Sequence, residues 1–454
     1  MTIDYPTATA GALAKALADR EVSSAELVDT AIARIEAMDG DINAVVVRDF
    51  DRARDAAKAA DAALARGERA PLLGVPMTVK ESFHIPGLPT TWGAKQFKGW
   101  TPPPGFEATA VTRLKAAGAV ILGKTNVPPH LAEFQSNNPI YGRTNNPRDL
   151  GRSPGGSSGG SAASLAAGYV PLELGSDIGG SIRVPAHFCG VFGHKPSFHL
   201  APMTGHAPPG IDAPGAGVDL SVIGPLARTA SDLDLALSII AGPDGGAAKA
   251  YRAELPAPRA TKVSDFRVLI LRDHPMAEAD DEITGVLEDL AERLGRAGAK
   301  VMNSHPRLPD IGAGHQAYAA MLNTIITRGA PTAPAPMDAH AWMNALDAQV
   351  AAGRAWAALF EEVDVVLAPP FGVAAFPHDD RPNLFTHTLT INGRETPYLA
   401  QVAWAGMATY PGLPSTCAPV GRTASGLPVG VQIIGPYLED RTTIALAGLI
   451  ERGL

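Results

Sequence analysis

Two separated stretches of the chain follow one grammar, and that grammar restricts the fold more than any other feature. Leu114-Lys-Ala-Ala-Gly118-Ala-Val-Ile-Leu122 and Leu294-Gly-Arg-Ala-Gly298-Ala-Lys-Val301 each follow a glycine with a short apolar run. Glycine accepts the left-handed conformation that commonly ends a helix, so each stretch reads as helix, cap and strand. The second stretch belongs to a full unit. Phe266 to Leu271 reads as a preceding strand, and Ile283, Leu287, Leu290 and Leu294 form the apolar face of a crossover helix. Strand, helix and strand in that order predict an α/β fold: a twisted, mixed and mostly parallel sheet covered by helices on both faces.

The length, 454 residues, fits one large α/β enzyme or two to three ordinary domains. Apolar residues at 46% and charged residues at 19% exclude disordered, fibrous and coiled-coil classes. With 47 glycines and 40 prolines the chain is loop-rich without being of low complexity. No repeat period runs through it.

Ser23 and Glu26 form a capping box, with Val22 and Leu27 spaced as a hydrophobic staple, so a helix begins there. Leu27, Ala31 and Ile35 continue it as one buried stripe, and Gly40 is expected to end it. Ala-rich sequence from Asp51 to Arg66 predicts another helix. From about residue 306 to 392, Pro, Met, Trp, Phe and His are scattered without a sustained period. We expect this segment to be a variable insertion over the core, lining a substrate entrance.

Forty-six acidic against 38 basic residues give a net charge of −8, and no Lys/Arg tract could follow a phosphate backbone, so nucleic acid is not expected as a partner. Cys189 and Cys417 are too few for a disulfide framework and lack metal-ligand spacing, which points to a reducing compartment. The chain starts without a basic, then apolar, leader, and no run is long enough to span a membrane, so a cytoplasmic location is expected.

The densest chemical signal lies between Ser153 and Ser197. Ser153-Pro-Gly-Gly-Ser157-Ser-Gly-Gly-Ser-Ala-Ala163 is followed by Gly175-Ser-Asp177-Ile-Gly-Gly-Ser181-Ile-Arg183-Val-Pro185. Paired glycines let a loop turn its N–H groups toward a developing anion. Either cluster alone reads first as a flexible turn; two of them around an Ala-rich helix carry more weight. A phosphate cradle is disfavoured because no Lys-Ser/Thr pair completes the pattern. Gly155-Gly-Ser157-Ser-Gly159 satisfies G-x-S-x-G, which would make Ser157 the nucleophile and require a downstream acid and histidine. A further reading uses Lys80, at the end of the apolar run Gly74-Val-Pro-Met-Thr-Val79: an amine buried there can become neutral and serve as a base.

These stretches resemble the amidase signature family. The likeness rests on Gly74 to Glu81, Gly123-Lys-Thr-Asn126-Val-Pro128, Gly142 to Pro147, the block from Ser153 to Pro196 and Gly426-Leu-Pro-Val-Gly430-Val-Gln432, and so spans most of the chain. It implies a single domain over residues 1–454 and a Ser-cisSer-Lys triad, with Ser181 as nucleophile, Ser157 as relay and Lys80 as base. It further implies an oxyanion hole from the N–H groups of Ile178, Gly179, Gly180 and Ser181, with Asp177 and Arg183 as a structural ion pair beside it. On the same alignment Leu131, Ala132 and Phe134 are expected to wall the acyl pocket. Val127-Pro128-Pro129-His130 stands where the family's transamidation subunits commonly carry acidic residues, placing the chain nearer the stand-alone and fatty-acid-amide-hydrolase-like branch.

The expected activity is hydrolysis of a linear, apolar or aryl acyl-amide, with esters and carbamates (urethanes) open to the same acyl-enzyme route. The alternative is an amidotransferase component that passes ammonia within a complex. No metal or cofactor is implied. His378-Asp379-Asp380 lacks a ligand partner, and Cys189 reads as buried packing. The expected partner is a small-molecule amide, and a homodimer is compatible with the sequence.

Overall fold

The computed structural model describes residues 3–211, 218–327 and 336–454. Eleven strands form one sheet. In spatial order they are Val45–Arg48, Val120–Thr125, Pro76–Lys80, Leu172–Asp177, Val222–Ala227, Phe192–Lys195, Ser415–Arg422, Pro428–Ile434, Val365–Ala368, Arg267–Ile270 and Lys300–Met302.

Parallel pairing occurs on the two flanks. Pro76–Lys80 runs parallel to both its neighbours, and Arg267–Ile270 does the same on the far side. The junctions between Leu172–Asp177 and Val365–Ala368 are all antiparallel. The sheet is mixed, as expected: its parallel pairs lie on the flanks, while the middle and the Val45–Arg48 edge are antiparallel. The reason is local: crossover helices enforce parallel neighbours at the flanks, whereas Ser415–Arg422 and Pro428–Ile434 are joined by a short turn that reverses the chain. Every residue of Pro76–Lys80, Leu172–Asp177 and Val222–Ala227 is buried, as a sheet covered on both faces requires.

The local signals act as the sequence indicates. Ser23 accepts from the Glu26 N–H, and Glu26 accepts from the Ser23 N–H at 2.8 Å, closing the capping box of helix Ser24–Ile42. That helix runs through Gly40, however, and ends two residues later, because Asn43 takes the left-handed cap at φ 56°. Its side chain compensates by donating to the carbonyls of Tyr141 and Arg143. Gly118 has a φ of +95°, and a Cβ there would sit 2.4 Å from the Leu73 Cα, so only glycine can make that turn into Val120–Thr125.

The segment from 306 to 392, of which 328–335 lie outside the described residues, departs from expectation. It holds two helices, Ile311–Ile326 and Ala339–Leu359, but then supplies Val365–Ala368, a fully buried strand between two others of the main sheet. The sequence of that strand is a short apolar run with no alternation, which periodicity alone could not separate from its surroundings.

Candidate active site

One strand end and two turns bring the chemistry together at one end of the sheet. Lys80 is the last residue of its strand. Ser157 lies in the turn before helix Gly159–Ala166, and Ser181 in the turn between strand Leu172–Asp177 and helix Arg183–Cys189. The Gly156–Ser157 peptide is cis. Close packing explains the glycines in front of Ser157: a Cβ on Gly156 would meet the Glu133 carbonyl at 2.3 Å. Ser153 and Ser136 fasten the same turn, the first donating to the Phe134 carbonyl at 3.0 Å and the second to the Gly155 carbonyl at 3.2 Å.

The Lys80 side-chain nitrogen is fully buried and donates to Ser157 Oγ at 2.7 Å and to Ser176 Oγ at 2.9 Å. Burial lowers its pKa to about 7, against the opposing pull of Asp177 and Glu173. Glu173 lies in the strand beside that of Lys80, where burial raises its carboxyl to about 8 and the Thr78 hydroxyl donates to it.

Ser181 is nearly buried, at 6% exposure, and its backbone carbonyl accepts from the Ser158 N–H at 3.1 Å. This bond ties the two serine turns together. Ser181 Oγ has no hydrogen-bond partner among the described residues, so of the two links in the expected relay the structure makes Lys80 to Ser157 and leaves Ser157 to Ser181 open.

Asp177 and Arg183 form a buried, two-pronged ion pair at 2.9 and 3.0 Å. Burial pushes the Asp177 carboxyl up, but Arg183 and three backbone N–H groups outweigh it and hold it at about 2. One of those is the Gly180 N–H, at 2.9 Å. Expected in the oxyanion hole, it is instead committed to a carboxylate that stays ionised. The Gly179 and Ser181 N–H groups meet no acceptor among the described residues. Arg183 reaches further, to the Ala405 carbonyl, Thr409 Oγ1 and Gln432 Oε1. Gln432, the last residue of the Gly426 motif, thus serves the loop from a strand elsewhere in the sheet.

Of the residues expected along the acyl pocket, Phe134 is buried, with its ring 5.1 Å from Phe371 and 5.5 Å from Tyr398, and it approaches Gly180. Leu131 is half-buried and Ala132 exposed. Two contributors lie beyond the reach of the sequence reading. Ser176, the second acceptor for Lys80, stands inside the Gly175–Asp177 run, and its place in a strand next to that of Lys80 was the available signal. Tyr318, whose hydroxyl donates to the Ile178 carbonyl at 2.7 Å, lies in the aperiodic 306–392 segment and had no signal.

Among the described residues no group of three or more His, Cys, Asp or Glu side chains is placed to hold a metal ion. Cys189 and Cys417 are free and buried, and burial pushes the Cys189 thiol up to about 12. Among the described residues no helix is long and apolar enough to cross a membrane.

A buried lysine hydrogen-bonded to a serine, a second serine on a neighbouring turn and free N–H groups beside it make an arrangement able to carry acyl transfer through a hydroxyl. The Amidase family model matches residues 26–324 and 313–444. The chain is 32% identical to a glutamyl-tRNA(Gln) amidotransferase subunit from Roseiflexus castenholzii, over 96% of this chain and 94% of that protein. It is 34% identical to a Mycobacterium tuberculosis protein named as an amidase, AmiB2, over 99% and 96%. A bacterial aryl acylamidase of the amidase signature enzymes superposes with a TM-score of 0.82 at 26% identity, covering 98% of this chain and 96% of that one. The chain belongs to the amidase signature family and is an enzyme of the amide-hydrolase type.

Proposed function

We propose that the chain hydrolyses linear apolar or aryl acyl-amides on its own, through an acyl-enzyme on Ser181. The observation that carries this reading is the 2.7 Å contact between Lys80 and Ser157, made by an amine that burial brings to about pKa 7. At neutral pH about half of such amines carry a free lone pair.

In this reading the open link of the relay, from Ser181 to Ser157, closes when substrate is bound. Catalytic hydrogen bonds are often long before substrate binds and tighten in the complex. The Ser181 oxygen then attacks the acyl carbon while its proton passes to Ser157 and that of Ser157 to Lys80. The carbonyl π electrons move to oxygen, where the Gly179 and Ser181 N–H groups receive the charge. Collapse of the intermediate breaks the C–N bond, and the relay returns a proton to the leaving nitrogen. Water, deprotonated by the same relay, attacks the acyl-enzyme; the bond from the acyl carbon to the Ser181 oxygen breaks, the relay returns the proton to that oxygen, and the acid leaves. Esters and carbamates offer the same carbonyl carbon.

The apolar substrate class is supported by what surrounds the loop. Ile178, Leu322, Ile325, Met337, Trp342 and Val402 form a partly exposed apolar cluster on one side of it, and Phe134 leads into a second, aromatic cluster on the other. The alternative reading, an amidotransferase component that passes ammonia within a complex, draws on the 32% identity to an amidotransferase subunit.

A fluorophosphonate probe tests the nucleophile without knowledge of the substrate. The adduct is expected on the Ser181 peptide and absent from Ser181→Ala, while Lys80→Ala labels more slowly by orders of magnitude. An adduct on the Ser157 peptide would return the nucleophile role to the G-x-S-x-G serine.

A further inference from the structure

We propose that Tyr318 is a positioning residue for the oxyanion loop: its hydroxyl fixes the Ile178–Gly179 peptide so that the Gly179 N–H faces the reacting carbonyl. This rests on the reading of Ser181 as the nucleophile.

Tyr318 projects from helix Ile311–Ile326, is fully buried, and donates from its hydroxyl to the Ile178 carbonyl at 2.7 Å. In a trans peptide the C=O and the following N–H point in opposite directions. Holding the Ile178 oxygen toward Tyr318 therefore turns the Gly179 N–H away from it. That N–H has no acceptor among the described residues, whereas the next one along, of Gly180, is held by Asp177. The loop thus has two tethers of opposite sense, a phenol on the carbonyl at its start and a carboxylate on the amide in its middle. Between them the Gly179 peptide can turn only if one lets go.

Tyr318 is itself held in place. Its ring lies against Gly406, where an added Cβ would sit 2.6 Å from Cδ1, and Gly406 lies in helix Val402–Thr409. The same helix presses on the loop through Val402, 3.3 Å from where a Gly179 Cβ would stand, and Ala405, 3.2 Å from that of Gly180. Its Ala405 carbonyl is bonded by Arg183. Burial raises the Tyr318 hydroxyl above its ordinary pKa, so it remains a donor throughout the working pH range. The hydroxyl bond couples the helix from the 306–392 segment directly to the backbone of the loop. Through it, a substitution in that segment can alter turnover without touching the substrate.

Tyr318→Phe keeps the ring against Gly406 and removes only the donor. The expected result is phosphonylation of Ser181 about tenfold slower than in the parent, the size expected for losing one oriented hydrogen bond. For an anilide substrate kcat falls by a similar factor with KM within twofold, and the inhibition constant of a trifluoromethyl ketone, whose adduct carries an oxyanion, rises in proportion. The thermal midpoint stays within a few degrees. Gly406→Ala, which pushes the ring without touching the loop, is expected to slow labelling in the same way. Labelling by Tyr318→Phe within twofold of the parent overturns the proposal. So does a loss carried by KM, or one that tracks a large fall in thermal midpoint. If the parent forms no adduct on Ser181, the nucleophile reading fails as well; if it does and Tyr318→Phe labels normally, the role of Tyr318 alone is lost.

Discussion

The behaviour of single residues in this site is governed by desolvation. Lys80 loses its water shell on burial and falls to about 7, although two carboxylic groups nearby oppose the shift. Its proposed base function requires the neutral form, which is abundant above that value and declines tenfold for each pH unit below it. The rate should therefore be level on the alkaline side and drop on the acid side, with the bend at about 7. A kcat/KM profile of the parent enzyme checks this, and one that stays flat down to roughly pH 5 would remove Lys80 as the titrating base. Asp177 shows the converse balance. It is just as buried, but two guanidinium contacts and three N–H donors keep it charged at about 2. A buried carboxylate so completely paired holds a loop rather than takes protons.

At the scale of elements, the far flank of the sheet separates stability from chemistry. Helix Asp281–Arg296 buries Ile283, Leu287, Leu290 and Leu294 in one stripe and leaves Glu288 exposed. Leu290→Ala should cost about 2–5 kcal/mol, because the transfer free energy of the lost methyl groups is compounded by the cavity left behind. Glu288→Ala should stay within about 0.5 kcal/mol, since its pair with Arg272 lies at the surface. Urea midpoints of the two variants measure the difference. Both should label Ser181 at the parental rate, because among the described residues no side chain of the helix bonds to the Ser157 or Ser181 turn. A loss of labelling in folded Leu290→Ala would show that the flank reaches the site.

For the molecule as a whole, the sheet explains where the site is. Lys80 closes one strand and Ser176 and Asp177 close its parallel neighbour, so the reactive groups gather at the carboxyl ends of adjacent parallel strands, where α/β sheets place their ligands. The proposed triad and the oxyanion loop all come from this one chain. We expect the purified protein to cleave a small anilide alone, at a rate that added amidotransferase partner chains do not raise. Gel filtration paired with that assay decides the matter, and turnover seen only in a complex would move the assignment to the transamidation reading.

What could be read in advance had local causes. The Ser23 capping box, the left-handed Gly118 turn and the apolar stripe of helix Asp281–Arg296 each depend on residues within a few positions of one another. The Ser157 and Ser181 turns and Lys80 were visible because glycine framing and an apolar strand leave marks along the chain. Tertiary structure alone decided which of those groups meet. It committed the Gly180 N–H to Asp177, gave Lys80 a second acceptor in Ser176 and left the Ser181 hydroxyl without a partner among the described residues. It also drew Val365–Ala368 into the sheet and brought Tyr318 onto the loop from 140 residues away. Such contacts depend on how whole elements pack, and a side chain chosen by packing carries no periodic mark in the sequence that supplies it.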